Sequence, residues 1–409
     1  MTGTLAERPN TEALHYPMSR GGCPFDPPAA LQELRETEPI SRVRIWDGST
    51  PWLITRHEDA RAVLADQRFS ADFRKDGYPP TSPGQKVRRA KVRSFISMDD
   101  PEHARYRKML ISEFTVKHTE SLRPMITEVV GELLDTMAAG PKPVDLVQAF
   151  TLPLPSMVIC RMLGVPYSDH AFFQRISAKL LNNTTAPQEA LAATDELSDY
   201  LLKLVHAKDA DPRDDLTSRL VLRRMRTGEI DADELVAMLN LLLIAGHETT
   251  ANQLALGTLT LLQHPEQADE LRTTDDPALV GGAVEELLRL LTIVHSGRRR
   301  VATEDVEIGG VTIRAGDGVV VAGEVANRDP QAFDDPDELN IHRSARHHVA
   351  FGFGVHQCLG QPLARLELQI AYPALLRRFP DLAVTEKVED LPFRDEMLVY
   401  GLHELPVTW

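Results

Sequence analysis

The chain has 409 residues, of which 43% are hydrophobic, so it is long enough to bury a large core. Its formal net charge of −15 argues against nucleic acid or an anionic membrane surface as a partner. Three widely separated cysteines, Cys23, Cys160 and Cys358, predict neither a disulfide framework nor a zinc site and fit a reducing compartment. Because residues 1–22 lack the apolar segment of a signal peptide and no apolar run could span a bilayer, we expect a cytoplasmic protein with no membrane partner.

The first hundred residues predict a mixture of short elements. Residues 1–27 are rich in proline, glycine and polar residues and indicate an irregular arm. A helix at 28–37 precedes a hairpin, whose two strands, 42–46 and 52–55, are separated by an Asp-Gly turn. After a helix at 57–66, the pattern from 69 to 95 predicts irregular structure, and we interpret this stretch as a candidate lid or substrate loop.

A helix that begins at Asp100-Pro101 carries two basic residues on one face. His103 and Arg107 are four residues apart, so their side chains project in the same direction. One interpretation is a solvated helix start, which is common for such a charge pattern. The other is a pair of cationic donors directed at a bound carboxylate.

The middle of the chain predicts a series of amphipathic helices, at 120–139, 154–163, 167–181 and 187–207. The longest helical stretch, 231–264, is apolar on nearly all faces and must run through the centre of the protein. Glu248 and Thr249 lie in its middle, where burying polar groups without partners is costly, so the segment suggests a site. A zinc-protease motif is excluded, because the second histidine it needs is replaced by Ala251.

The C-terminal half predicts one more helix, then strands, then a cysteine loop. Glu286 and Arg289 are three apart on the helix at 284–290, and β-type runs follow between 300 and 322. The loop Phe351-Gly-Phe-Gly-Val-His-Gln-Cys-Leu-Gly360 precedes a helix that starts at Gln361. A helix N-terminus favours an anion and predicts that Cys358 is a thiolate, which leaves a nucleophile or a metal ligand as alternatives.

The cysteine loop, the segment Gly246-His-Glu-Thr249 and the pair Glu286-x-x-Arg289 occur in a fixed order. Together they resemble the cytochrome P450 superfamily of haem-thiolate monooxygenases, and in finer detail its soluble actinobacterial members. The resemblance implies the cytochrome P450 fold, which is mainly α with a smaller β-rich lobe, and a single domain over residues 28–409. It also decides between the alternatives for Cys358, which would bind the iron of haem b as a thiolate.

The same resemblance implies roles for further residues. Glu248 and Thr249 match the acid–alcohol pair that relays protons to dioxygen, and Glu286, Arg289 and Arg343 match a structural triad. The haem propionates would be held by His103, Arg107, Arg300 and His356, although Arg298 and Arg299 stand beside Arg300 and the assignment could shift. The remaining haem contacts would be Phe351, Gly352, Ala245 and Gly360. Substrate contacts would come from Ile244, Ala245, Ile293 and Val294, with Arg74, Lys75, Arg88 and Arg89 near the mouth of the pocket.

The implied reaction is hydroxylation or epoxidation of a bulky hydrophobic molecule, such as a polyketide, terpenoid or steroid, with O2. The chain has no flavin or dinucleotide fingerprint, so electrons would come from a ferredoxin and its reductase, and the enzyme would act as a monomer. Two alternatives remain at this point. One is a nitric oxide reductase that takes electrons directly from NAD(P)H, although Glu248 beside Thr249 speaks against it; the other is a non-catalytic haem-binding protein.

Overall fold

The computed structural model describes residues 13–409 of the chain, and helices dominate it. The helices are α1 Ala29–Thr37, α2 His57–Ala65, α3 Pro83–Lys91, α4 Glu102–Leu110, α5 Val116–Ser121, α6 Arg123–Ala139, α7 Pro153–Leu163, α8 His170–Leu181, α9 Pro187–Ala210, α10 Leu216–Leu220, α11 Ala232–Leu262, α12 Pro265–Thr273, α13 Pro277–Leu291, α14 Gly323–Ala326 and α15 Gln361–Arg378. The strands are β1 Ile40–Arg42, β2 Trp52–Ile54, β3 Phe69–Ser70, β4 Val144–Asp145, β5 Arg298–Ala302, β6 Val306–Ile308, β7 Val311–Ile313, β8 Gly318–Val321, β9 Ala383–Val384 and β10 Pro406–Thr408. The predicted class, mainly α with smaller β sheets, is confirmed.

Helix α11 is the centre of the largest hydrophobic core. It is 31 residues long and is capped by Asp231. The Asp231 side chain accepts a hydrogen bond from the Glu234 amide, and the Glu234 side chain accepts one from the Asp231 amide, which together form a capping box. It packs against α7, α9 and α15, which explains why its sequence is apolar on nearly all faces. The central helix predicted at 231–264 is confirmed.

The largest sheet carries an arginine-rich strand into the interior. Its strand order is β1-β2-β8-β5-β3, with β2 and β8 parallel and the other neighbours antiparallel. Strand β5 lies between β8 and β3, and Arg299 and Arg300 in it are buried. The predicted hairpin exists, with Ile40 opposite Ile54. Its first strand begins two residues earlier than predicted.

The prediction of irregular structure from 69 to 95 is wrong in part, because the segment contains α3. Ser82 caps this helix by accepting a hydrogen bond from the Gln85 amide, and Pro83 occupies its first turn. The helix packs on α9, and a Cβ on Gly84 would lie 2.9 Å from the carbonyl oxygen of Thr185. Residues 83–91 of the candidate substrate loop are therefore a helix docked against α9, and residues 71–82 contain no helix or strand.

The predicted N-terminal arm, residues 1–27, is only partly covered. Residues 1–12 lie outside the described residues. From residue 13 to residue 27, the chain contains no helix or strand beyond a single bridge between His15 and Arg44.

Candidate active site

The cysteine loop is folded by its glycines. Gly352 and Gly354 have positive φ angles of 76° and 72°, which favour glycine, and a Cβ on Gly354 would lie 2.5 Å from the Leu64 carbonyl oxygen. The Cys358 amide donates to the Phe351 carbonyl at 2.9 Å, which closes the loop. Gly360 is the N-cap residue of α15, so Cys358 lies just before the N-terminus of that helix.

Cys358 is exposed at the surface of the loop, although neighbouring protein groups desolvate its thiol. Burial raises the pKa of Cys358, and the Gly360 amide together with the guanidinium groups of Arg298 and Arg107 offsets this only in part. The predicted thiolate therefore draws on these arginines as well as on the helix N-terminus. A metal ion bound to the sulfur would remove the proton outright.

The structure brings the four predicted propionate ligands together beside the cysteine loop. The imidazole ring centroids of His103 and His356 are 4.1 Å apart. Burial, followed by the charge of Arg300, lowers the pKa of His356 to about 3, with His103 and Arg107 acting in the same direction. These residues from α4, β5 and the cysteine loop thus form one cluster of hydrogen-bond donors.

This cluster has donors without acceptors. His103 Nε2 and His356 Nδ1 are buried without a hydrogen-bond partner, and Arg107 donates to the Gln357 carbonyl at 2.8 Å. Arg300 donates to the Arg299 carbonyl at 2.8 Å, and over residues 13–409 neither arginine forms an ion pair. Two carboxylates, such as the propionates of haem, fit these donors.

Arg298 lies closer to the thiol than the sequence suggested. A Cβ on Gly352 would be 3.0 Å from Arg298 Nε, and the charges of Arg298 and Cys358 interact. Its Nη1 is buried without a partner. Alternation along β5 could have indicated this, because residues 298 and 300 point to the same side of the strand.

Glu248 and Thr249 lie on adjacent faces of α11. The Thr249 hydroxyl donates to the Ala245 carbonyl at 2.7 Å, one turn earlier. Ala245 is exposed in the middle of this otherwise buried helix, which shows that the face with Ala245 and Thr249 borders an open space. Glu248 is only 3% exposed and points away from that face.

Arg394 is a partner of Glu248 that sequence reasoning missed. Its Nη1 lies 3.1 Å from Glu248 Oε2 and 3.1 Å from Asn252 Oδ1. Arg394 stands in the C-terminal hairpin, where Phe393 bridges Leu402. No local signal could have found the contact, since the two residues are 146 positions apart in the chain.

The predicted triad forms a buried ion network. Arg289 Nε and Nη2 contact the two Glu286 oxygens at 2.7 and 2.8 Å, and Arg343 Nε reaches Glu286 Oε1 at 3.0 Å. Glu286 and Arg289 are fully buried. Beside them, Glu285 pairs with Arg365, whose guanidinium carbon lies 4.6 Å from the centre of the Phe351 ring.

The predicted substrate contacts are not equivalent in the structure. Ala245 is exposed on α11, whereas Ile244 and Ile293 are 5% and 8% exposed and belong to the main hydrophobic core. Val294 packs against that core with part of its surface open.

Across the described residues, no helix has the combined length and apolar character needed to cross a bilayer.

Comparisons with known proteins agree with this geometry. The family model described as cytochrome P450 matches residues 27–408. The chain is 53% identical over 408 residues to cytochrome P450-SU2 of Streptomyces griseolus, covering 99% of this chain and 100% of the relative. It is 50% identical over 394 residues to pentalenic acid synthase of Streptomyces avermitilis, covering 96% and 97%. The crystal structure of the mycinamicin VIII C21 methyl hydroxylase from Micromonospora griseorubida, bound to mycinamicin VIII, superposes with a TM-score of 0.91 at 42% identity, covering 97% of this chain and 100% of that one.

Proposed function

The chain belongs to the cytochrome P450 family, whose members bind haem b through a cysteine thiolate, and it is a monooxygenase; on this premise we propose that it hydroxylates or epoxidises a bulky hydrophobic secondary metabolite. Relatives named for a terpenoid acid and a macrolide support that substrate class. The observation that carries the proposal is the cluster of unpaired donors beside Cys358, which matches a dianionic cofactor with an iron centre.

We assign the residues of the site as follows. Cys358 would bind the haem iron through its sulfur, and His103, Arg107, Arg300 and His356 would hold the propionates. Phe351 packs beside the thiolate and limits access of water, while Glu286, Arg289 and Arg343 hold the segment that leads into the cysteine loop. Ala245, Gly352 and Gly360 border the cofactor.

Bound haem supplies the activation of O2, in which two electrons and two protons leave one oxygen atom in the product and one in water. Thr249 borders the open space beside Ala245, so its hydroxyl can rotate from the Ala245 carbonyl and donate a proton there. Glu248, held by Arg394, is the residue that resupplies this proton through water.

Electrons come from outside the chain in this proposal, through a ferredoxin and its reductase. On α4 the side chain of Lys108 is exposed and suits contact with an acidic protein. Arg365, a further candidate from the sequence, is paired with Glu285 and is not available for such a contact. We also propose that residues 28–409 form one domain and that the enzyme is a cytoplasmic monomer.

The test is the carbon monoxide spectrum of the reduced protein. A red-shifted Soret band, typical of a thiolate opposite carbon monoxide, is expected for the wild type and should be absent in Cys358→Ser. Absence of the band in a haem-loaded wild-type protein would overturn the assignment. If the band persists in the variant, the thiolate ligand is a residue other than Cys358.

A further inference from the structure

Helix α3 directs a partly exposed arginine, Arg88, at α11 with its Nε atom buried, and the function proposed above leaves it without a role. We propose that Arg88 and Asn240 form a subsite for a carboxylate, so that the substrate is a bulky hydrophobic acid. The inference rests on the proposed function, because it assumes that the space beside α11 holds the substrate.

The subsite is built from donors that lack acceptors. Arg88 Nη2 donates to Asn240 Oδ1 at 3.2 Å, which turns the amide nitrogen of Asn240 away from the guanidinium. That nitrogen, Nδ2, and Arg88 Nε are both buried without a hydrogen-bond partner. Asn240 itself is only 1% exposed. Buried donors normally have partners, so these two point to a ligand with acceptors.

The charge of Arg88 is not neutralised within residues 13–409. Arg88 forms no ion pair there, whereas Lys91 on the same helix pairs with Asp195. Burial, together with the neighbouring charge of Arg89, lowers the pKa of Arg88 to about 10, so the group is still protonated near pH 7. An uncompensated buried cation is costly, and a bound anion would remove that cost.

The cluster around Cys358 does not account for this arginine. Arg300 interacts with Tyr78, Asp99 and Arg89, and His356 interacts with Arg300, His103 and Arg107. Among the charged groups of residues 13–409, Arg88 is influenced only by Arg89. The propionates therefore have their own ligands, and Arg88 serves a different anion.

The position of Asn240 on α11 sets the size of the acid. Asn240 precedes Ala245 by five residues and Thr249 by nine, which corresponds to about 7 and about 13 Å along the helix axis. A carboxylate at Arg88 would thus lie on the order of 10 Å from the carbon that is oxidised beside Thr249. An arginine fork binds a carboxylate through two parallel hydrogen bonds, which would fix the substrate at that end.

The test compares matched acids and esters. Dodecanoic, abietic and lithocholic acids, each with its methyl ester, are titrated into the haem-loaded protein, and the Soret shift gives the Kd. At least one acid should bind about tenfold or more tightly than its ester. Arg88→Gln should weaken that acid about 10- to 100-fold and leave the ester within about threefold.

Two further variants make the result specific. Lys86→Gln removes the same charge from an exposed position of α3 and should leave both Kd values unchanged. Asn240→Asp places an internal carboxylate beside Arg88 and should abolish the preference for the acid. If no acid binds more tightly than its ester, or if Lys86→Gln acts like Arg88→Gln, the inference is wrong. The carbon monoxide spectrum separates this outcome from failure of the proposed function, because a normal thiolate band with no acid preference rejects only the subsite.

Discussion

In the region formed by α13 and α15, buried and partly buried arginines meet carboxylates, whereas four such arginines in the region formed by α3, α4 and β5 do not. Arg289 contacts Glu286 at 2.7 Å, and Arg365 contacts Glu285 at 2.5 Å. Over residues 13–409, Arg88, Arg107, Arg298 and Arg300 form no ion pair. The whole chain has an excess of 15 negative charges, so a shortage of carboxylates does not explain the difference.

The two regions differ in what completes them. A buried ion pair is tolerable when both partners and their hydrogen bonds are present, and a lone buried charge is not. The region of α13 and α15 is complete within the chain and behaves as a scaffold. In our proposals, haem propionates and a substrate carboxylate are the anions that complete the other region. A buried arginine is not by itself a ligand site, because Arg20 and Arg35 are satisfied by backbone carbonyls.

The largest expected effect comes from breaking the complete region. Within residues 13–409, Arg289→Ala leaves the buried Glu286 with Arg343 as its only remaining charged partner, and such a loss typically costs about 3–5 kcal/mol. Arg289 also donates to the Asn327 and Pro336 carbonyls, which hold the segment before the cysteine loop. We expect loss of most bound haem and a lower melting temperature, measured by the Soret absorbance per protein and by thermal unfolding.

A matched control for this variant exists on α12. Asp269 and Arg272 form an ion pair with the same spacing of three residues, but Asp269 is exposed and Arg272 is partly exposed. Arg272→Ala should change neither haem content nor melting temperature appreciably, because exposed pairs contribute little. Equal effects of the two variants would contradict the view that the buried network holds the cysteine loop.

The second effect is a pH dependence that originates at Glu285. Hydrogen bonds from His348 and Arg365 outweigh burial and lower the pKa of Glu285 to about 2. Because the folded state binds this proton more weakly than the unfolded state, the stabilisation is complete above about pH 5 and is lost as the pH falls toward 2. Glu285→Gln should thus cost about 3 kcal/mol of unfolding free energy at pH 7. The difference from the wild type should shrink in urea unfolding as the pH is lowered.

Glu324 should give stability the opposite dependence on pH. It is 3% exposed, accepts from the Tyr16 hydroxyl at 3.2 Å, and has its second oxygen without a partner. Burial raises the pKa of Glu324 to about 7, so stability should fall as the pH rises from about 4.5 to 7. Glu324→Gln should remove this loss and be more stable than the wild type at pH 8. If both glutamine variants shift stability in the same direction, the contrast between paired and unpaired carboxylates is wrong.

Sequence reasoning predicted local structure better than long-range contacts. Local patterns gave the central helix, the helix with His103 and the glycine loop, because capping, periodicity and turn chemistry act within a few residues. The resemblance then supplied roles that spacing alone left open. The missed helix α3 also had a local signal, Ser82 followed by Pro83, which the prolines and glycines before it obscured.

What the sequence did not provide depends on distant contacts. The partner of Glu248 lies on the C-terminal hairpin, and the donors left unpaired at Arg88 and Arg298 become apparent only when their neighbours are known. Charge complementarity across the fold is the information that a linear pattern lacks.

The smallest predicted effect tests a paired charge that borders the ligand-binding region. Arg394→Gln removes the charge that holds Glu248 and should leave haem content and substrate affinity unchanged. Without it the carboxylate is free to turn, so proton delivery should slow and product per NADPH should fall about 3- to 10-fold. Peroxide should rise correspondingly, and Thr249→Ala, which removes the donor hydroxyl itself, should have a larger effect on both.

Arg394 is a positioning residue in this account, and the solvent isotope effect distinguishes that role from a structural one. Proton delivery that has become slower should increase the isotope effect on turnover in Arg394→Gln, whereas a loosened hairpin would not. His403 pairs with Glu396 at 2.8 Å on the same hairpin, and His403→Gln should leave coupling unchanged. If Arg394 acts only through Glu248, Arg394→Gln added to Glu248→Gln should have no further effect. If the double variant forms clearly less product per NADPH than Glu248→Gln, Arg394 has a separate role and the pair of Arg394 and Glu248 is structural.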